Sequence, residues 1–298
     1  EEKDPEDSKA GNSGVIEIGV STLPKIPVDS TDRNRTSPFA FTGNKFEFRM
    51  VGSSASISGP NIILNTIVAE ALSQIADRLE KAENVQKEVN RVVRDIVKNH
   101  KQIIFYGNGY SGDWVKEAES RGLPNITNTV DALMAYKVEK NIRVLERFGV
   151  MSRVESDARY EIYTDIYIKQ INIEALTMIE IARREILPAV MRFAKEIAVS
   201  LNEMKSTGLD LNMEEQEKLL KKANSLMNLF SSQIEVLEKE TEFAKNVVSG
   251  TYETACAYRD KVATAMEALR KTGDELEKIV SKDIWPLPTY SDMLFYID

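Results

Sequence analysis

Cysteine and histidine are almost missing from this chain: Cys256 and His100 are the only examples in 298 residues. One cysteine excludes an intrachain disulfide and fits a reducing, cytoplasmic setting. It stands in Ala255-Cys256-Ala257 on an expected helix face, the setting of a small packed residue rather than a reactive thiol. His100 falls at the expected end of a helix, where the dipole favours a surface imidazole over a metal ligand. No apolar run approaches the roughly 20 residues needed to cross a bilayer, and no signal-peptide pattern opens the sequence. A basic excess is lacking too. The net charge is −8 with a pI near 5.1, which argues against a nucleic-acid partner as well as a membrane one. Proline thins out: five of the nine fall within the first 60 residues.

What remains is ordinary soluble-protein material, 42% hydrophobic and 29% charged, enough for one large or two ordinary domains. Residues 1–14 are acidic and Gly/Ser-rich, a flexible segment. Val15–Val20 reads as a strand, and Pro24 and Pro27 stiffen the loop after it. From Pro60 the pattern turns helical. Residues 61–82 and 85–98 carry apolar residues at helical spacing, such as Ile63, Ile67, Ala71 and Ile75. Gln102–Tyr106 reads as a short strand or loop. Gly107-Asn108-Gly109 lacks the third glycine of a phosphate loop and reads as a turn before a helix over 113–121.

Beyond residue 150 the expectation is helix almost throughout. Ser152 and Glu155 spell a capping box. Tyr160, Tyr163 and Tyr167 form a stripe expected to pack in a core. Pro188 is expected to kink or break the helix that holds it. Asn212 with Glu215 is expected to cap the next one, and Gly250 to join two long helices into an antiparallel hairpin. The charge runs around Glu214–Lys218 and Lys221-Lys222 are its solvated face.

The chemistry concentrates between Thr31 and Ser54. In Lys45-Phe46-Glu47-Phe48-Arg49-Met50 the residues alternate, so a cation, an anion and a cation share one face of a strand about 6.6 Å apart. Asp32-Arg33-Asn34-Arg35 lies just upstream. Arginine forks suit phosphate or carboxylate, and a carboxylate suits a hard divalent ion. The same alternation is also that of a solvated sheet face with cross-strand ion pairs, and spacing alone leaves both readings open.

Longer blocks carry a resemblance. Asn34-Arg35-Thr36-Ser37-Pro38-Phe39-Ala40-Phe41-Thr42-Gly43-Asn44-Lys45-Phe46-Glu47-Phe48-Arg49 resembles the late active-site block of glutamine synthetase in its type III, long-subunit form. Similar blocks follow at 103–111, 114–124, 159–162, 171–175 and 285–295. The resemblance implies an ATP- and Mg2+- (or Mn2+-) dependent ligase that joins ammonia to L-glutamate through γ-glutamyl phosphate. It implies that Glu47 binds a divalent ion, that Arg49 stabilises the γ-carboxylate as it becomes an acyl phosphate, and that Arg35 contacts the transferring phosphate. Lys45 falls near the nucleotide. Shorter members of the family carry a second phosphate-binding arginine at the position of Ala40, a departure here.

The resemblance further implies metal-binding glutamates, a metal-ligand histidine and a glutamate that helps deprotonate ammonium, all upstream of this block. The chain opens at Glu1 without a methionine, so it is expected to be the C-terminal portion of a longer enzyme, inactive alone. The expected fold class is α+β: the C-terminal part of a glutamine synthetase catalytic domain over 15–150, a few strands plus helices, then a mainly helical bundle or hairpin region over 151–298. The family also implies a homo-oligomer, a dodecamer of two hexameric rings, with the site formed where subunits meet. The alternative readings are a non-catalytic helical assembly or regulatory module, and a related glutamate–amine ligase.

Overall fold

The order of the backbone elements follows the punctuation of the sequence. In this computed structural model the described residues are 55–104, 112–288 and 290–294, plus the backbone of four short strands; side chains are described from residue 55 onward, those of 290 and 291 excepted. The strands are β1 (Val15–Ile16), β2 (Ile26–Pro27), β3 (Phe39–Phe41) and β4 (Phe46–Phe48), paired as two antiparallel hairpins, β1 with β2 and β3 with β4. Among the described residues all else is helix and its connections, so they are mostly helical. It divides into two units, Glu1–Ile126 and Thr127–Asp298. No helix among the described residues is long and apolar enough to cross a membrane.

In the first unit, α1 (Ser58–Leu79) and α2 (Val85–Asn99) form a helical pair. Asn84 caps α2, its side chain accepting the Lys87 N–H at 3.0 Å, which satisfies one of the donors a helix start leaves free. Arg78 then ties the two helices, reaching Glu88 at 2.7 Å and Asp95 at 3.0 Å. α1 is apolar on several sides, and Ile67, Val68 and Leu72 are about half exposed. His100 is the residue at which α2 ends, and it is exposed, as its place in the sequence suggests. The segment after it is a 3-10 turn, Lys101–Ile103. Arg121, just past α3 (Gly112–Ser120), donates to the Gln102 and Ile104 carbonyls at 3.2 and 2.8 Å and lies over the Trp114 ring.

The second unit runs α4 (Thr129–Leu133), α5 (Glu139–Arg147), α6 (Arg153–Ile181), α7 (Leu187–Ser206), α8 (Glu214–Lys245), α9 (Thr251–Ala257), α10 (Ala263–Glu277) and α11 (Tyr290–Leu294). The capping box at Ser152 and Glu155 forms as expected: Ser152 Oγ accepts the Glu155 N–H, and Glu155 Oε2 accepts the Ser152 N–H at 2.7 Å. Pro188 does not break its helix. Without an N–H it cannot donate to the carbonyl four residues back, and the ladder widens just before it into a π turn, Ala182–Ile186, that carries α6 into α7.

Asn212 does cap the start of α8, but from one position outside the N-cap residue, Met213. α8 starts one residue later than the sequence suggests, and Asn212 Oδ1 accepts the first helical N–H, Glu214, at 3.0 Å. The tyrosine stripe divides. Tyr160 is buried and Tyr167 is half-buried against the core, whereas Tyr163 is exposed and lies tilted against Tyr136, 5.9 Å between ring centres.

The core sits between α6, α7, α8 and α10. Phe230, Ile234 and Leu237 on α8 meet Val190 on α7 and Leu269 and Leu276 on α10, all at most 1% exposed. Gly250, at φ +143°, turns the chain so that α9 and α10 return along α8. Glu240 faces Lys261 at 3.7 Å, and a Cβ on Gly273 would lie 3.5 Å from the Phe230 ring, the descending–ascending pairing of an antiparallel hairpin. A second π turn, Tyr258–Val262, interrupts the returning helix. Its Tyr258 donates to Asn172 Oδ1 at 3.1 Å, and its Arg259 to Asp131 at 2.7 Å, so this turn ties α10 to α6 and α4. Cys256 is half-buried on α9, in keeping with a packing role.

Candidate functional site

Of the residues singled out from the sequence, Ala40 and Glu47 fall on the β3–β4 hairpin. Its register sets Phe39 opposite Phe48, Ala40 opposite Glu47 and Phe41 opposite Phe46. Aromatic residues at alternate positions favour this extended pairing. Glu47 therefore stands at the centre of β4, with its backbone paired to Ala40. Its side chain lies outside the described residues, as do Arg35, Lys45 and Arg49 in full, the segment 1–14 and the Gly107-Asn108-Gly109 turn. One carboxylate on a strand, two residues from cations on either side, is a hard oxygen donor of the type Mg2+ takes once or twice beside phosphate oxygens and water.

No cluster of three or more His, Cys, Asp or Glu suited to a metal occurs among the described residues. Their shifted titrations come from ion pairs and packing. Glu88 is held low by its hydrogen bond to Arg78, and Glu139 by its bonds to Arg153 and Arg143. Arg259 is pushed up by its hydrogen bond to Asp260. The Tyr252 phenol is raised chiefly by its hydrogen bond to Cys256.

A cleft of about 610 Å³ opens in the second unit against Met178, Phe230, Met266, Trp285 and Met293, with Glu174, Arg270, Asp274 and Glu277 around it. Arg270 is bonded to Asp274 at 2.6 Å. An apolar floor with three carboxylates to one guanidinium is unsuited to a nucleotide polyphosphate. The sequence signal for phosphate chemistry thus stays with the hairpin.

Comparison with known proteins sets this geometry in a family. Residues 88–205, from within α2 to near the end of α7, match the family described as glutamine synthetase C-terminal domain. The chain is similar to glutamine synthetases over nearly its whole length, as the blocks at 34–49 and 103–124 suggest. One relative is of the type III form: the chain is 38% identical to the type-3 glutamine synthetase of Dictyostelium discoideum over 97% of its own length. It is 33% identical to a glutamine synthetase of Bacteroides fragilis over 94% of its length, and 34% identical to one of Butyrivibrio fibrisolvens over 90%. The chain spans about 40% of the length of these curated relatives: 40%, 40% and 38%.

Proposed function

We propose that this chain is the C-terminal portion of a glutamine synthetase subunit and supplies part of an active site that ligates ammonia to L-glutamate with ATP. The observation that carries this is similarity over nearly the whole chain to the type-3 enzyme. The finer architecture is α+β, with 15–150 as the end of the catalytic domain and 151–298 as a helical region. Glu47 is the metal-binding residue, for Mg2+ or Mn2+. Arg35 holds the transferring phosphate, Lys45 lies by the nucleotide, and Arg49 binds the γ-carboxylate of glutamate.

The physical reasoning is simple. Attack of a carboxylate on a polyphosphate brings two anions together, so catalysis rests on charge neutralisation and positioning. Divalent ions supply that neutralisation at the phosphate oxygens when bound. A metal ligand must be a carboxylate, and cationic residue types two positions away on either side of Glu47 suit that requirement. The subunit is a cytoplasmic homo-oligomer, a dodecamer of two hexameric rings, with small-molecule substrates and neither nucleic acid nor membrane as partner.

γ-Glutamyl hydroxamate formation from glutamate, ATP, Mg2+ and hydroxylamine tests the reading. A longer polypeptide containing these residues is expected to be active, and the 298-residue chain alone inactive. Absence of activity in the longer polypeptide would overturn it.

A further inference from the structure

The cleft in the second unit takes no part in the ligase chemistry assigned above. Its walls come from separate segments of that unit: Met178 on α6, Phe230 on α8, Met266 on α10, and Trp285 and Met293 beyond α10. Its volume of about 610 Å³ lies within the range of sites that bury small organic molecules, roughly 300–1,000 Å³. The three methionines give it a polarisable lining that adapts to apolar shapes. Recesses of this kind orient a ligand through a few polar groups. Here those groups are acidic. Arg270, Asp274 and Glu277 follow one another at steps of four and three residues along one side of α10. Arg270 is bonded to Asp274 at 2.6 Å, so these two offset each other. Glu277 is half-buried and has no ion pair among the described residues. Glu174 accepts its hydrogen bond from the neutral Gln170, at 2.6 Å. Two carboxylate charges are therefore left beside an apolar floor. Trp285, 8% exposed, also lines the cleft, and its indole N–H is buried without a hydrogen-bond partner.

We propose that this cleft binds a small organic ammonium with an apolar body and an oxygen acceptor. The body lies on the methionine-lined floor, and the ammonium pairs with Glu277 and Glu174. The oxygen accepts from the Trp285 indole, a donor whose lack of a partner is costly while the cleft is empty. Charge selects the class. An anion meets two unpaired carboxylates and is repelled, and a neutral molecule gains the apolar contact alone. A stretch of polypeptide is a poorer occupant. It would carry backbone N–H and C=O groups into a recess with few partners for them, whereas a small ammonium brings only groups that this lining satisfies.

Calorimetric titration at neutral pH tests this, on the longer polypeptide and on the 298-residue chain side by side. Three probes share one body and differ in charge: phenoxyethylammonium, phenoxyethanol and phenoxyacetate. In both proteins the cation is expected to bind at least tenfold tighter than the anion, with the alcohol between them. That gap should narrow as salt is raised. Glu277→Gln keeps the shape of the rim and should retain the helical circular dichroism. It is expected to weaken the cation at least threefold and to leave the alcohol unchanged. Trp285→Phe should weaken cation and alcohol alike, because the ether oxygen is common to both. Equal binding of the three probes, or binding of none, overturns the proposal. So does cation binding that Glu277→Gln leaves intact. Binding to the 298-residue chain that is lost in the longer polypeptide overturns it too, and means that another segment occupies the cleft.

Discussion

Arg183 grips Glu238 with two hydrogen bonds of 2.6 Å, from Nε and from Nη2, one to each carboxylate oxygen. The pair fastens the π turn after α6 to the side of α8. Both side chains are about 40% exposed, so solvent screening keeps its worth near 0.5–1 kcal/mol despite the fork geometry. Glu238→Gln is expected to cost about that much in urea denaturation at neutral pH. The hydrogen bond to Arg183 holds the Glu238 carboxyl below its ordinary 4.5, with burial opposing. A lowered carboxyl pKa stabilises the fold above the unfolded value and loses that effect as pH falls through the folded one. The difference between wild type and variant should therefore be complete above about pH 4.5 and vanish in stronger acid. A difference that persists in acid would assign the effect to packing instead.

Two glycines should answer the same substitution with opposite signs. Gly250 sits at φ +143°, and an added Cβ would come within 2.6 Å of Glu253 Oε2. Gly250→Ala is expected to destabilise by more than about 1 kcal/mol. Gly273 lies inside α10, where the added Cβ would rest at an ordinary 3.5 Å from Phe230. Gly273→Ala is expected to stabilise by about 0.5–1 kcal/mol by restricting the unfolded chain. Thermal unfolding of the two variants side by side checks both signs.

The capping box at the head of α6 gives a third expectation. Ser152→Ala removes the acceptor for the Glu155 N–H and is expected to cost about 1 kcal/mol, while Ser152→Asp should recover most of it. Equal loss in both variants would mean that the hydroxyl serves some other contact.

Ala40 and Glu47 stand directly opposite each other on the β3–β4 hairpin, where Cβ atoms are typically about 5 Å apart. In the longer polypeptide, Glu47→Ala is expected to raise the Mg2+ concentration needed for hydroxamate formation at least tenfold and to lower turnover. Normal turnover at ordinary Mg2+ would remove Glu47 from the metal site. Ala40→Glu should impair the reaction as well, since a second carboxylate beside Glu47 competes for the same cations.

Local rules were most legible where they act through neighbours in sequence. Ser152–Glu155, the helix end at His100 and the Gly250 hairpin could be read in advance because caps and glycine turns depend on a few adjacent residues. Pro188 misled because its missing donor was absorbed by a wider turn upstream, a solution that depends on packing against α8. Tyr163 misled because a stripe of three tyrosines covers more of the helix circumference than the core contacts. Asn212 acts one position outside the place its spacing suggested, because Met213 ends the loop. The candidate site residues rest on the motif at 34–49 rather than on geometry. The family match rests on helices far from that motif, between 88 and 205.

The two π turns also record how the helical hairpin keeps its phase. A π turn carries about one more residue than an α-helical turn would need. Deleting one residue from Tyr258–Val262 would let the helix close as an ordinary α turn and would leave Leu269 and Leu276 on the face they now turn to α8. Deleting one residue from the α-helical stretch between 263 and 268 would instead rotate both leucines away by about 100° and bring Arg270 to the place of Leu269 against Phe230. The returning helix thus has one place in its middle where a residue can be lost without turning its apolar side away from α8.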